Sequence, residues 1–117
     1  MSKNRSVFWD DLTENLKDPV FRHQYILESE RIATIDRIVN ELDDIREQQG
    51  LTKADLARAI SRQPEAMRRL LTAGTVNPEL GFVAEIAAAL GYRVSLKPMN
   101  AHERKEISEP LRARIAV

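Results

Sequence analysis

Residues 51–71 carry two short amphipathic segments joined by a tight connection, and this arrangement limits how the chain can fold. The apolar residues are spaced to meet in the angle between two helices: Leu56, Ala57, Ile60, Met67 and Leu70. A small residue such as Ala57 is needed where helices cross closely, because a larger side chain would push them apart. Thr52 and Asp55 match a capping box at the start of the first helix. The segment therefore predicts two helices packed around a shared apolar angle.

Most of the remaining chain is also helical in its pattern. Apolar residues at helical spacing predict further helices over residues 8–17, 18–26, 29–49 and 80–90, and Gly50 and Gly91 are expected to end two of them in the left-handed conformation. Residues 92–97 alternate apolar and polar side chains, which predicts one short strand. Because a single strand is not stable alone, we expect it to pair with a second subunit, a partner or an N-terminal segment.

Composition excludes several classes of protein. The 117 residues allow one modest core with short arms, and the absence of cysteine excludes a disulfide scaffold and a thiolate metal site. No apolar run approaches the ~20 residues of a membrane span, and the first residues lack a secretory signal, so a cytoplasmic location is expected. No glycine-rich phosphate loop and no nucleophile–base pair at motif spacing is present, so no enzymatic activity, cofactor or metal is expected.

The net charge of zero is unevenly distributed. Residues 1–50 contain seven basic and eleven acidic residues, whereas residues 51–117 contain eleven basic and seven acidic ones. Such a division is typical of a protein with one surface for an anionic partner and another for a different partner. Clustering of charges by chance explains it as well.

The outward face of the second short helix carries amide and guanidinium side chains of the kinds that can bind DNA. Glutamine can read adenine and arginine can read guanine through paired hydrogen bonds in the major groove. The candidate DNA-binding residues are Lys53, Arg62, Gln63, Glu65, Arg68, Arg69 and Thr72. The alternative for most of these residues is an ordinary solvated helix surface. For Arg62 the alternative is a stem that packs while its charged head reaches solvent. For Glu65 the favoured interpretation is an interaction with the positive N-terminus of its own helix.

These residues resemble the helix-turn-helix regulators of the Cro/C1 (Xre) type. The resemblance covers residues 51–96 and rests on GLTKADLA at 50–57, RRLL at 68–71 and NPELGFVAEIAAALG at 77–91. It implies a five-helix domain in which residues 53–60 form the supporting helix and residues 63–71 the recognition helix. The sequence departs from the family at Ser61, where glycine is common, and at Arg62, where an apolar residue is usual.

The upstream sequence is similar to the leader of HigA-type antitoxins. Asp18, Pro19, Phe21, Arg22 and Tyr25 carry the match. This resemblance implies a RelE/HigB-like ribonuclease toxin that the protein neutralises by direct binding, in a complex that represses its own operon. The candidate partner-binding residues are the N-terminal aromatic ones: Phe8, Trp9, Phe21 and Tyr25. The alternative for these four residues is a small core beneath the N-terminal helices.

The expected fold class is mainly α: a five-helix Cro/C1-type domain with an N-terminal helical extension and one short C-terminal strand. Residues 1–31 would form the extension and possible toxin-binding region, residues 32–99 the helix-turn-helix domain with its terminal strand, and residues 100–117 a charged, flexible or conditionally helical tail.

One recognition helix reads only a few base pairs, so we expect a homodimer with Tyr92, Val94 and Leu96 at its interface. The sequence thus predicts an antitoxin and autorepressor that binds double-stranded operator DNA. The alternatives are a stand-alone Xre-type repressor without a toxin partner and a protein-interaction module that does not bind DNA.

Overall fold

The computed structural model describes residues 3–72 and 77–115, and every regular element in these residues is helical. The helices are α1 (Lys3–Asn15), α2 (Pro19–Gln48), α3 (Lys53–Ala59), α4 (Pro64–Leu71), α5 (Leu80–Ala89), α6 (Ala101–Glu103) and α7 (Glu109–Arg112), with a π-helical turn over Arg104–Ser108 between the last two. The chain divides into two compact units. One is Ile32–Lys97, and the other combines the residues up to Arg31 with those from Pro98 onward.

The Ile32–Lys97 unit is built around one hydrophobic core. Its buried side chains come from helices α2 to α5 and from the residue directly after α5: Val39, Leu42, Leu56, Ala57, Met67, Leu70, Leu71, Val83, Ile86, Ala87 and Leu90. Leu56, Met67 and Ile86 are the largest side chains that are completely buried. Helices as short as α3 and α4 are unstable in isolation, so burial of their apolar faces holds them in place.

Three helices of this unit end in a Schellman motif. Gly50, Ser61 and Gly91 follow α2, α3 and α5 with positive φ angles of 70°, 56° and 88°. The next amide then donates to a carbonyl five residues earlier: Leu51 to Arg46 at 3.2 Å, Arg62 to Ala57 at 2.9 Å and Tyr92 to Ala87 at 2.8 Å. The predicted helix stops at Gly50 and Gly91 are confirmed. Ser61 takes the same conformation although it carries a Cβ atom.

The start of α3 is capped as predicted. The Asp55 amide donates to the Thr52 hydroxyl at 3.0 Å, and the Thr52 amide donates to the Asp55 carboxylate at 2.9 Å. Both bonds of the capping box are therefore present. They satisfy two amides at the beginning of a helix of only seven residues.

The predicted strand over residues 92–97 is wrong. Residues 92–100 have no regular secondary structure, and the described part of the chain contains no strand. A strand exchanges backbone hydrogen bonds with a neighbouring strand, and no described segment supplies one. The side chains of Tyr92, Val94 and Leu96 remain 51%, 44% and 99% exposed.

The fold is accordingly all-helical in the described residues, and the mainly-α prediction holds only without its strand. The described residues of the Ile32–Lys97 unit contribute to four helices, α2 to α5, instead of the five that the resemblance implied. The irregular segment after Gly91 lies where the strand was expected. Its alternating side chains provide no apolar stripe that would pack a helix against the core.

Helix boundaries and burial differ from the predictions in three further places. The two helices predicted over residues 18–26 and 29–49 form the single helix α2, because no glycine or proline interrupts residues 20–48. Ile32 and Leu80 continue the apolar spacing of the helices predicted over residues 29–49 and 80–90, which places them on the inward faces, but they are 48% and 71% exposed. Phe82 packs against the core from α5, although the sequence pattern did not select it.

In the other unit, caps define where the helices begin. The carboxylate of Asp18 accepts a 2.9 Å hydrogen bond from the amide of Val20, and Pro19 occupies the first position of α2. Asn100 and Glu103 form a capping box at the start of α6. Residues from Ala101 to Arg112 of the predicted tail are therefore helical.

Candidate nucleic-acid interface

Helix α4 has one buried apolar face and one exposed polar face. Met67, Leu70 and Leu71 are in the core. The predicted contact residues at or beside this helix are all exposed: Gln63, Glu65, Arg68, Arg69 and Thr72. The structure therefore brings five of the seven candidate DNA-binding residues together on one short element.

The residue that precedes α4 is a glutamine whose side chain does not cap the helix. Gln63 is the N-cap residue, in an extended conformation, and its side chain makes no capping hydrogen bond. Pro64 follows at the first helical position, where its missing N–H is not needed. The amide group of Gln63 can thus donate to and accept from an external partner.

Arg68 on the exposed face of α4 forms a weak ion pair within the same helix. Its guanidinium lies 3.3 Å from the carboxylate of Glu65, and both side chains are well exposed. Such a surface pair contributes less than about 1 kcal/mol, so Arg68 can exchange Glu65 for an acceptor on DNA. The hydroxyl of Thr72 donates to the carbonyl oxygen of Arg68. Arg69 is exposed beside it.

The remaining two candidates lie outside α4. Lys53 is half-buried and is the first residue of α3. Arg62 lies in the turn between α3 and α4, and its Nε donates to Oε1 of Glu85 at 3.1 Å. Its guanidinium carbon also lies 4.5 Å from the ring centroid of Phe82.

Sequence reasoning missed Glu85 and Phe82. Both belong to α5, more than 15 positions from Arg62. No local motif joins them to Arg62, so the only available signal was an arginine where the resemblance led us to expect an apolar residue.

The carboxylate of Asp55 lies at the N-terminus of the supporting helix α3. The Thr52 backbone N–H that donates to it, followed by the Thr52 side chain, holds the pKa of Asp55 below its ordinary value of 3.8. The guanidinium of Arg58, which is paired with this carboxylate, lowers the pKa further. The helix that supports α4 is therefore capped by an ionised group at neutral pH.

The four candidate partner-binding residues form two aromatic pairs on the surface of the other unit. Phe8 and Trp9 of α1 contact each other edge to face with centroids 5.3 Å apart, and Phe21 and Tyr25 of α2 stack at 6.3 Å. All four side chains are between 37% and 60% exposed. They do not form the small internal core that was the alternative interpretation.

Residues 3–72 and 77–115 also bear on membrane insertion and on metal binding. None of the helices there has both the length and the apolar character that crossing a membrane requires. No group of three or more potential metal-ligating histidine, cysteine, aspartate or glutamate residues occurs in the same residues.

Comparison with known proteins identifies the region that contains α4. A family model described as a helix-turn-helix domain matches residues 37–96, just over half of the chain. No curated protein and no solved structure matches the chain. The matched region extends from the second half of α2 to the irregular segment after α5.

Proposed function

This chain belongs to the helix-turn-helix domain family, and we propose on that premise that it is a transcriptional regulator that binds double-stranded operator DNA sequence-specifically. The main support for this proposal is that α4 has two different faces. One face packs in the core, and the other exposes amide and guanidinium groups. The protein would act in the cytoplasm by binding, without catalysis or a cofactor.

Helix α4 would enter the major groove, which accommodates an α-helix. Gln63 is the candidate for reading adenine, and Arg68 and Arg69 for reading guanine or binding phosphate. Thr72 and Lys53 would add contacts at the groove edges. Glu65 would contribute through its pair with Arg68 and through the positive N-terminus of α4.

The regulator would act as a homodimer. Two recognition helices related by a two-fold axis read half-sites about 34 Å apart, whereas one helix reads too few base pairs for high specificity. The exposed apolar side chains of Tyr92, Val94 and Leu96 are the candidates for the subunit interface. Burying them in a dimer would remove apolar surface from water.

The partner in the proposed function is a RelE/HigB-like ribonuclease toxin. The observation that favours a protein partner is the surface exposure of Phe8, Trp9, Phe21 and Tyr25. Large aromatic side chains at protein surfaces are frequent anchors of interfaces. In this role the protein would be an antitoxin that neutralises the toxin by direct binding and represses its own operon. A stand-alone Xre-type repressor is the alternative.

DNA binding is tested by footprinting and salt-titrated affinity on the DNA upstream of the gene. We expect protection of a palindrome by the wild type and its loss in the double variant Arg68→Ala/Arg69→Ala. The variant Arg112→Ala/Arg114→Ala is the matched control, because it removes the same charge from exposed positions of the other unit. Equal binding by both double variants would contradict the assignment of α4.

Toxin binding is tested with the full chain, because residues of α2 such as Val39 and Leu42 belong to the core of the DNA-binding unit. A small basic ribonuclease encoded beside the gene is the partner to co-purify. We expect Trp9→Ala/Phe21→Ala to lose the toxin and keep DNA binding, while the control Ile115→Ala, also at an exposed apolar position, keeps both. Retention of the toxin by the Trp9→Ala/Phe21→Ala variant would contradict this interface. The absence of a ribonuclease gene beside this gene would favour the stand-alone repressor.

Dimerisation is tested by analytical ultracentrifugation at micromolar concentration, with and without operator DNA. We expect the wild type to sediment as a dimer and Val94→Asp/Leu96→Asp to sediment as a monomer. A wild-type monomer under both conditions would contradict the homodimer.

A further inference from the structure

Arg62 links the turn before α4 to a different helix by two separate interactions. Its Nε donates to Oε1 of Glu85 at 3.1 Å, and its guanidinium carbon lies 4.5 Å from the centroid of the Phe82 ring. Both partners are on α5 and three positions apart, which places them on the same face of that helix. The charged head of Arg62 is therefore paired with two side chains of α5, although the ion pair with Glu85 remains partly exposed to solvent.

The backbone around Arg62 is constrained as well. Its amide donates to the carbonyl oxygen of Ala57 at 2.9 Å, which closes the Schellman motif at the end of α3. Ser61 before it has a positive φ of 56°. Gln63 directly after it is the N-cap of α4. Arg62 is thus the residue at which the end of α3, the start of α4 and the surface of α5 meet.

We propose that Arg62 is a positioning residue for DNA recognition, which fixes the start of α4 by bracing the turn against Glu85 and Phe82 and does not itself contact DNA. The inference rests on the proposed function and changes the role expected for one candidate residue. The resemblance to Cro/C1-type regulators led us to expect an apolar, half-buried residue at this position. Here a cation–π contact and an ion pair replace that packing.

The two possible roles of Arg62 predict opposite effects on DNA binding when the carboxylate of Glu85 is removed. If Arg62 braces the turn, then removal of the Glu85 carboxylate loosens the start of α4 and weakens specific binding. If Arg62 contacts phosphate directly, then the same change releases its guanidinium for DNA and strengthens binding. A double-mutant cycle therefore separates the roles.

The experiment measures affinity for operator DNA and for unrelated DNA over a range of salt concentrations. The variants are Arg62→Met, Glu85→Gln and their combination, with Glu79→Gln as the charge control because Glu79 is an exposed acid just before α5. We expect Arg62→Met and Glu85→Gln each to weaken operator binding by about three- to tenfold, the scale of an ion pair and a cation–π contact. The combination should weaken it no further than Arg62→Met alone.

Two measured quantities distinguish a positioning residue from one that only stabilises the fold: the salt dependence of binding and the ratio of operator affinity to unrelated-DNA affinity. Arg62→Met should keep the wild-type slope of log affinity against log salt, while the ratio of operator to unrelated-DNA affinity falls. A slope reduced by about 0.9, the value for one lost phosphate contact, would overturn the inference. Stronger binding by Glu85→Gln than by Glu79→Gln would overturn it as well.

Folding of the variants is checked by thermal unfolding, and Arg62→Lys is the second variant, which keeps the charge but lacks the planar guanidinium. We expect it to recover part of the operator affinity lost in Arg62→Met. If the wild type binds the operator and Arg62→Met binds it equally well, this inference alone is overturned. Failure of the wild type to bind the upstream DNA would overturn the proposed function and this inference together.

Discussion

The side-chain amide of Gln49 donates a 2.9 Å hydrogen bond to the backbone carbonyl oxygen of Leu90, 41 positions further along the chain. Gln49 precedes Gly50 after α2, and Leu90 precedes Gly91 after α5. The bond therefore joins two helix ends that are each closed by a left-handed glycine. It also gives a donor to a carbonyl at a helix C-terminus, where the helix itself supplies none.

Replacement of Gln49 by alanine should lower the free energy of unfolding by about 0.5–1.5 kcal/mol, the usual contribution of one such hydrogen bond. Urea denaturation measures this change. Gln48→Ala is the control, because Gln48 is an exposed neighbour at the end of α2. The two variants should differ, and an equal loss in both would show that the bond to Leu90 contributes nothing.

Replacement of Ser61 by glycine should stabilise the protein. The strain of a positive φ at a residue with a Cβ atom costs about 1–2 kcal/mol, and the extra chain entropy of glycine offsets about 0.5–1 kcal/mol of the gain. We expect a net increase of roughly 0.5–1 kcal/mol in the free energy of unfolding, again by urea denaturation.

Gly50→Ala provides the opposite control for Ser61→Gly. Gly50 has a φ of 70°, and a Cβ atom there would meet nothing within 4 Å, so its cost comes from the backbone alone. It should destabilise the protein by about 1 kcal/mol. Destabilisation by Ser61→Gly would instead indicate that the Ser61 side chain has a stabilising role.

The capping carboxylate of Asp55 should make stability sensitive to acid. Its pKa is lower in the folded protein than its ordinary value of 3.8, so ionisation favours folding. This contribution is complete above the unfolded pKa and is lost as the pH falls through the folded pKa. In urea denaturation, the stability difference between the wild type and Asp55→Asn should be constant near neutral pH and shrink below pH about 4. A constant difference down to the lowest pH at which the protein folds would contradict this role.

Single substitutions on α4 should distinguish base contacts from phosphate contacts. Arg68→Ala or Arg69→Ala should weaken operator binding by about 1–3 kcal/mol if the guanidinium reads a base, with a smaller loss on unrelated DNA. A phosphate contact would instead weaken binding to all sequences and reduce the salt slope by about 0.9. Affinity measured by fluorescence anisotropy, with Arg112→Ala as the control, separates these outcomes. Unchanged affinity in both variants would remove α4 from the interface.

The features that were predicted correctly depend on residues a few positions apart. Thr52 and Asp55 cap each other across one turn of α3, and Gly50 and Gly91 each end a helix through their own backbone conformation. The amphipathic pattern of α4 also identified Met67 and Leu70 as core residues, because a period of 3.6 residues assigns each side chain to a face. The exposed polar face of α4 followed from the same pattern.

The sequence by itself thus determined helices α3, α4 and α5, most of their ends and the polar residues that α4 leaves exposed, since dihedral preferences and capping bonds act within one turn. Tertiary structure decided what depends on distant residues. Residues 92–97 have the alternation of a strand, but a strand requires a partner that the described chain does not provide. Arg62 and Gln49 reach Glu85 and Leu90 only after the core has brought α5 beside them, and no local pattern specifies such a contact.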